Sequence, residues 1–217
     1  KANQKQYIKE LLLLLNIQYI IEQCKNKNVI FKFPYKSFKE EDWDVEHIDS
    51  YTENPLSDKK TQIDWLTTAI TDLKEVDEFK KDLELDKRID SFINDEKSKE
   101  SFELIQQNII RIAGEEKNDE TLKNNIGNLT LLDAKTNRSY GNALFPTKRR
   151  IIIEKDMEGK FIPIWTKNLF LKYFDLGSSS RTKWNESDIK KYRDIIANKL
   201  TEFLPPKSKN HPNNEQV

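Results

Sequence analysis

Trp43-Asp44-Val45-Glu46-His47-Ile48 alternates side chains in the manner of a strand and sets a histidine directly after a carboxylate. Strict alternation predicts a half-buried β-strand, with Trp43, Val45 and His47 on one face and Asp44, Glu46 and Ile48 on the other. About eighty residues further on stands Asn128-Leu129-Thr130-Leu131-Leu132-Asp133-Ala134-Lys135-Thr136-Asn137-Arg138. Its apolar run predicts a second strand over residues 128–132, introduced by Gly127. Asn137 follows Asn128 at a nine-residue step, and residues 137–142 read as a loop or first helical turn.

Outward from these two stretches the chain reads as helix. Tyr7, Ile8, Leu11, Leu12, Leu15, Tyr19 and Ile20 recur at near-helical spacing over residues 3–24. Val29 to Phe33 reads as a short strand stopped by Pro34, and Asn54-Pro55 signals a loop. Three charged amphipathic segments, roughly 59–73, 76–93 and 97–114, predict helices that carry no evident chemistry. Residues 145–157 fit a helix with Pro146 at its start. Beyond the Glu158-Gly159 turn come an apolar run over 161–165, a brief helix over 169–174 and a longer one over 184–203, with Asn185 as its N-cap. After Pro205-Pro206 the tail is polar and expected to be disordered.

Composition narrows the class. Among 217 residues, 36% are apolar and 34% charged, which suits a helix-rich protein with a modest core. The longest apolar run, Leu11 to Leu15, falls far short of the ~18 residues that span a bilayer, so no membrane association is expected. Cys24 is the one cysteine, which excludes an internal disulfide or a multi-cysteine zinc site and suggests a reduced, cytoplasmic setting. The chain starts Lys-Ala-Asn with no signal-peptide pattern, and the expectation is a piece of a longer protein. Net charge is zero, but its distribution is uneven. Residues 41–58 hold seven acidic side chains and no Lys or Arg, whereas 133–150 hold Lys135, Arg138, Lys148, Arg149 and Arg150 against one acid. An acidic patch beside a basic one suits a metal site facing a phosphate backbone; two mutually paired, solvated faces are the structural alternative.

His211 lies in the polar tail, so His47 is the histidine to which chemistry can be assigned. A neutral imidazole with an ordinary pKa of about 6.5 suits removal of a proton from water near neutral pH. Glu46 and Asn137 offer oxygen ligands, and oxygen-only ligation favours magnesium or manganese over zinc. The structural alternatives are an ordinary hydrogen-bonding histidine, exposed strand carboxylates at Asp44 and Glu46, and turn-forming asparagines at Asn137 and Asn142.

These residues carry a resemblance. The Asp-x-Glu-His-Ile segment at 44–48, Gly-Asn-Leu-Thr-Leu-Leu at 127–132 and Asn-Arg-Ser-x-Gly-Asn-x-x-Phe-x-x-Lys at 137–148 resemble the HNH, or ββα-metal finger, nucleases. The nearest branch is the HNH domain at the C-terminus of GmrSD-type modification-dependent restriction and anti-phage proteins. The step from Asn128 to Asn137-Arg138 also resembles the HNH domain of RNA-guided CRISPR nucleases. The resemblance implies an α+β fold, with a small ββα-metal finger embedded in a mostly helical domain. The nuclease domain would run over 1–204, with its core at 28–58 and 124–157, a helical insertion at 59–123, C-terminal helices at 166–204 and the tail at 205–217.

The resemblance implies His47 as general base and one Mg²⁺ or Mn²⁺ on Glu46 and Asn137, with Asp44 behind the ligands. Asn128 would belong to the catalytic constellation by bracing the histidine loop. Arg138 and Lys148 take basic positions that hold phosphate or steady the leaving group. With Lys135, Arg149 and Arg150 they form the expected nucleic-acid face. The sequence departs from the common version in having asparagine for the third ligand and some eighty residues between its halves. The implied activity is metal-dependent hydrolysis of DNA, nicking or cutting both strands, with a nucleotide-using N-terminal domain of the same polypeptide as partner. A binding or assembly module with a vestigial site, or a ribonuclease using the same residues, remains open.

Overall fold

The computed structural model describes residues 2–25, 30, 32–49, 56–74, 76–95, 98–114, 120–140, 143–175, 177 and 180–203. Among these, β1 (Trp43–His47) and β2 (Leu129–Asp133) form a two-stranded antiparallel sheet. Trp43 pairs with Asp133, Val45 with Leu131 and His47 with Leu129. Bonds from Ile48 N–H to the Asn128 carbonyl and from Ala134 N–H to the Asp42 carbonyl extend the ladder past both ends. Residues paired across an antiparallel ladder share a face. Trp43, Val45, Leu129 and Leu131 therefore sit together, and they pack with Leu12, Phe38 and Phe161 in a small apolar cluster.

Leu12 comes from α1 (Ala2–Cys24), which crosses the sheet. The indole of Trp43 stacks on Phe38 of α2 (Tyr35–Glu40) and donates to its carbonyl. The strand expected over residues 29–33 falls partly outside the described residues; Lys32 and Phe33 form no strand.

The charged block folds into its own core. It comprises α3 (Lys59–Leu73), α4 (Asp77–Lys81), α5 (Leu83–Asn94) and α6 (Phe102–Ala113), which bury Leu66, Leu73, Phe92, Phe102, Ile105 and Ile109 together. Where one helix is expected over 76–93, Asp82 breaks the run: its backbone leaves the helical region and its carboxylate caps Leu85 N–H of α5. Ser101 caps α6 in the same way, so the helix starts later than the apolar pattern implies, and Gly114 ends it in the left-handed conformation (φ 72°). After α7 (Glu120–Lys123), a 3-10 turn over Ile126–Asn128 leads into β2.

The segment after β2 is helical, which selects the helical-turn reading over the loop for the described part of 137–142. The carboxylate of Asp133 accepts Thr136 N–H and opens α8 (Ala134–Tyr140) directly at the strand end. Asn142 lies outside the described residues. α9 (Phe145–Met157) begins with Pro146 in its first turn, as the sequence predicts. The apolar run at 161–165 feeds α10 (Ile164–Phe170), which also replaces the helix expected over 169–174. Pro163 offers α10 no side-chain cap, and the buried Asn16 of α1 supplies it by accepting Trp165 N–H.

The last long helix, α11 (Glu186–Leu200), opens with a reciprocal capping box between Asn185 and Asp188. It packs on the 3-10 turn so closely that a Cβ on Gly127 would lie 2.0 Å from the Ile189 carbonyl oxygen. The main core lies between α9, α10 and α11 and centres on Phe145, Phe170, Trp184 and Tyr192. The overall class is α+β. No helix among the described residues is long and apolar enough to cross a membrane. The 205–217 tail lies outside the described residues.

Candidate active site

The end of β1 is where polar groups are buried against the trend of their residue types. Glu46 is 8% exposed, Asp49 4%, Asn128 0% and Lys148 0%. Buried groups of this kind persist only when paired and hydrogen-bonded, and Glu46, Asn128 and Lys148 each have such partners.

Asn128 closes the loop that follows His47. Its amide oxygen accepts Asp49 N–H at 2.9 Å, while its nitrogen donates to the Asp49 carbonyl at 2.8 Å and to the Lys123 carbonyl at 3.0 Å. The chain leaving β1 is therefore fixed by the residue that precedes β2. Gly127 lets α11 press against the same turn.

Lys148, on the first turns of α9, points inward. Its ammonium lies 2.5 Å from Glu46 Oε1 and 2.7 Å from the His47 carbonyl oxygen, so one cation ties two successive residues of β1 to α9. Lys148 is thus an internal group in this arrangement, where the sequence suggests a surface that meets phosphate.

His47 is half-buried. Burial pushes its pKa below 6.5; a hydrogen bond with Asn124 and the charge of Glu46 oppose that shift, and Lys148 and Lys123 add to it. The net effect is a neutral imidazole at neutral pH. Its Nε2 is shielded from solvent and has no hydrogen-bond partner. A neutral imidazole with an uncommitted ring nitrogen has the chemistry to take a proton from a water that gains access to that nitrogen.

The remaining expected residues are distributed unevenly. Asn137 is half-buried on α8, which packs against both strands and α9. Arg138 lies on the same helix, but its side chain is outside the described residues. Asp44 pairs with Lys5 at 3.2 Å, and Lys135 is exposed. Arg150 bonds Asp72 at 2.6 Å and Glu154 at 3.0 Å, and these carboxylates push its pKa up. Arg149 has its Nε buried without an acceptor; burial, and then the like charge of Arg181, depress its pKa.

Among the described residues no three His, Cys, Asp or Glu side chains cluster as a metal site. Glu46 and Asn137 offer oxygen donors of the kind a hard divalent cation takes, and among the described residues Glu46 is hydrogen-bonded through Oε1 alone, to Lys148.

Sequence reading overlooked Asn124, Lys123, Asp49 and Asp72. Asn124-Asn125 ahead of Gly127 was a turn signal, and Asn125 does cap the 3-10 turn by accepting Gly127 N–H. Nothing local marked Asn124 as the imidazole's neighbour or Asp72 as an anchor for α9.

These features define a class: an α+β protein whose antiparallel strand pair ends in a buried carboxylate and a neutral histidine, backed by helices. The family model for the C-terminal domain of GmrSD restriction endonucleases matches residues 2–199, and the chain belongs to that family. That membership makes it a nuclease domain of the restriction-endonuclease type. No significant match to a curated protein or to a solved structure was found.

Proposed function

We propose that this domain is a divalent-metal-dependent HNH endonuclease that hydrolyses DNA phosphodiester bonds, with His47 as its general base. One observation carries the reading: the imidazole after Glu46 is held neutral by burial and keeps an Nε2 with no partner among the described residues. Family membership favours DNA over RNA as the substrate.

In this mechanism His47 Nε2 accepts the proton of the attacking water, and Asn128 keeps the imidazole in position by fixing Asp49. Glu46 and Asn137 would hold one Mg²⁺ or Mn²⁺. When bound, the ion offsets the charge that builds on the phosphoryl and leaving oxygens. Lys135, Arg138 and Arg149 meet the nucleic-acid backbone. The companion is an N-terminal, nucleotide-using domain of the same polypeptide.

The test is cleavage of supercoiled plasmid with Mg²⁺, Mn²⁺ or EDTA, by wild type, His47→Ala and Asn137→Ala. Metal-dependent nicking or linearisation is expected, lost in His47→Ala with DNA binding retained, and shifted to higher metal concentration in Asn137→Ala. Wild-type rates in His47→Ala would remove the base. A second reading, a module that binds nucleic acid without hydrolysis, draws on the Lys148–Glu46 pair, because a buried ammonium already neutralises the carboxylate. A folded wild type that binds DNA but never cleaves it, alone or with its companion domain, selects that reading.

A further inference from the structure

Lys148 has no solvent exposure, and its side chain reaches Glu46 across 102 positions of sequence. Its ammonium also accepts no role at the surface, since a second bond runs to the His47 carbonyl at 2.7 Å. A fully buried lysine is rare and persists only against a compensating anion. We propose that Lys148 is the internal counter-cation of the metal site, a positioning residue that fixes Glu46 and His47 and against whose charge a divalent cation would bind. This inference rests on the reading of Glu46 as a metal ligand.

The argument is electrostatic. Glu46 is the buried acid of the pair, and Oε1 is already in contact with a unit positive charge. Without Lys148 the carboxylate would be a buried charge lacking a partner, which strongly destabilises a fold. Removing the ammonium therefore has two opposite consequences. The metal-free protein loses stability, and a divalent cation gains an unshared carboxylate without a like charge beside it. A lysine that only packs, or one that contacts phosphate, yields the first effect or neither, never both.

The experiment compares wild type, Lys148→Met, Glu46→Gln and the double variant. Thermal unfolding is followed in EDTA, and Mn²⁺ binding by titration calorimetry without nucleic acid. Met keeps the length of the side chain and removes the charge. In EDTA, Lys148→Met is expected to melt lower, and the double variant to melt higher than the sum of the two single losses predicts. Mn²⁺ is expected to bind Lys148→Met on the order of tenfold more tightly than wild type, as a like charge a few ångströms from the ion is removed. Additive losses in EDTA, or Mn²⁺ affinity unchanged or weaker in a folded Lys148→Met, overturn the proposal.

If Lys148→Met does not fold, ammonium-selective NMR on the wild type gives the second reading. Among the described residues, the lysine ammonium groups with side chains almost fully buried in ion pairs are those of Lys148 and of Lys172, whose partner is Asp188 at 2.8 Å. Mg²⁺ is expected to shift the first and leave the second in place; no metal-dependent shift at Lys148 overturns the proposal. Failure of the nuclease reading looks different. There, no variant binds Mn²⁺ at all, while the coupling between Glu46 and Lys148 in EDTA persists.

Discussion

Asn128 grips Asp49 at both ends of its amide, accepting the backbone N–H at 2.9 Å and donating to the carbonyl at 2.8 Å, with 79 residues of chain between them. The pair makes the end of β1 and the start of β2 one rigid unit, with His47 inside it. Replacing Asn128 with Ala removes three hydrogen bonds, to the Asp49 N–H and to the Asp49 and Lys123 carbonyls, and a loss of about 3 kcal/mol is expected. Urea unfolding measures it. Cleavage should fall through kcat with KM little changed, because the base loses its position while the substrate surface stays. A variant as stable as wild type would show that water replaces the clamp.

The neutral state of His47 sets two pH dependences. Burial holds its folded pKa below 6.5, so between 6.5 and the lower folded value the unfolded chain binds the extra proton. The contribution to stability is therefore complete above 6.5 and is lost as pH falls through this window. Cleavage should stay flat from neutral pH to below 6.5 and then decline with a slope of about one per pH unit, as expected for a single base. NMR titration of the His47 ring against the rate profile checks the assignment. An acid limb that survives in a residually active His47 variant would assign the titration to another group.

Asp72 fastens the helical block to α9. Its carboxylate accepts Thr147 Oγ1 at 2.6 Å and Arg150 Nε at 2.6 Å. Because Arg150 is 38% exposed, the ion pair is partly screened. A loss of about 1–2 kcal/mol is expected for Asp72→Ala, mostly from the hydrogen bonds. A double-mutant cycle with Arg150→Ala reads the coupling; zero coupling would make Arg150 available to phosphate, as its charge alone suggests.

Arg149 differs from its neighbours in the sequence. Its Nε is buried without an acceptor, and the charge facing it is another arginine, Arg181. Arg149→Ala should leave folding stability unchanged or slightly raised. In EDTA it should weaken DNA binding, and the slope of log affinity against log salt should fall by about one. An unchanged slope would take Arg149 out of the DNA-binding surface.

Much of the local architecture was legible in the residues. Alternation fixed β1, and the apolar run fixed β2 to within a residue at each end. Pro146 and Asn185 marked the starts of α9 and α11, because prolines and caps act on the backbone within one turn. One local signal goes against the periodicity: Asp82 interrupts what reads as one helix by capping the N–H of Leu85, while Asp133 caps Thr136 N–H and settles the loop-or-turn after β2 as α8.

The sequence by itself determined the strand pair, the order of Glu46, His47, Asn128 and Asn137, and the helical character of what surrounds them. Those follow from short-range sterics and hydrophobic periodicity. Which charges face water was decided only by tertiary structure. Lys148, Arg149 and Arg150 are consecutive, yet one is buried on Glu46, one has its Nε buried without an acceptor among the described residues and one is tied to Asp72. The role of an ionised group depends on its solvent exposure and on the partner within a few ångströms. For Lys148 and Arg150 the partner comes from a segment about eighty to one hundred residues away, and no local pattern encodes it.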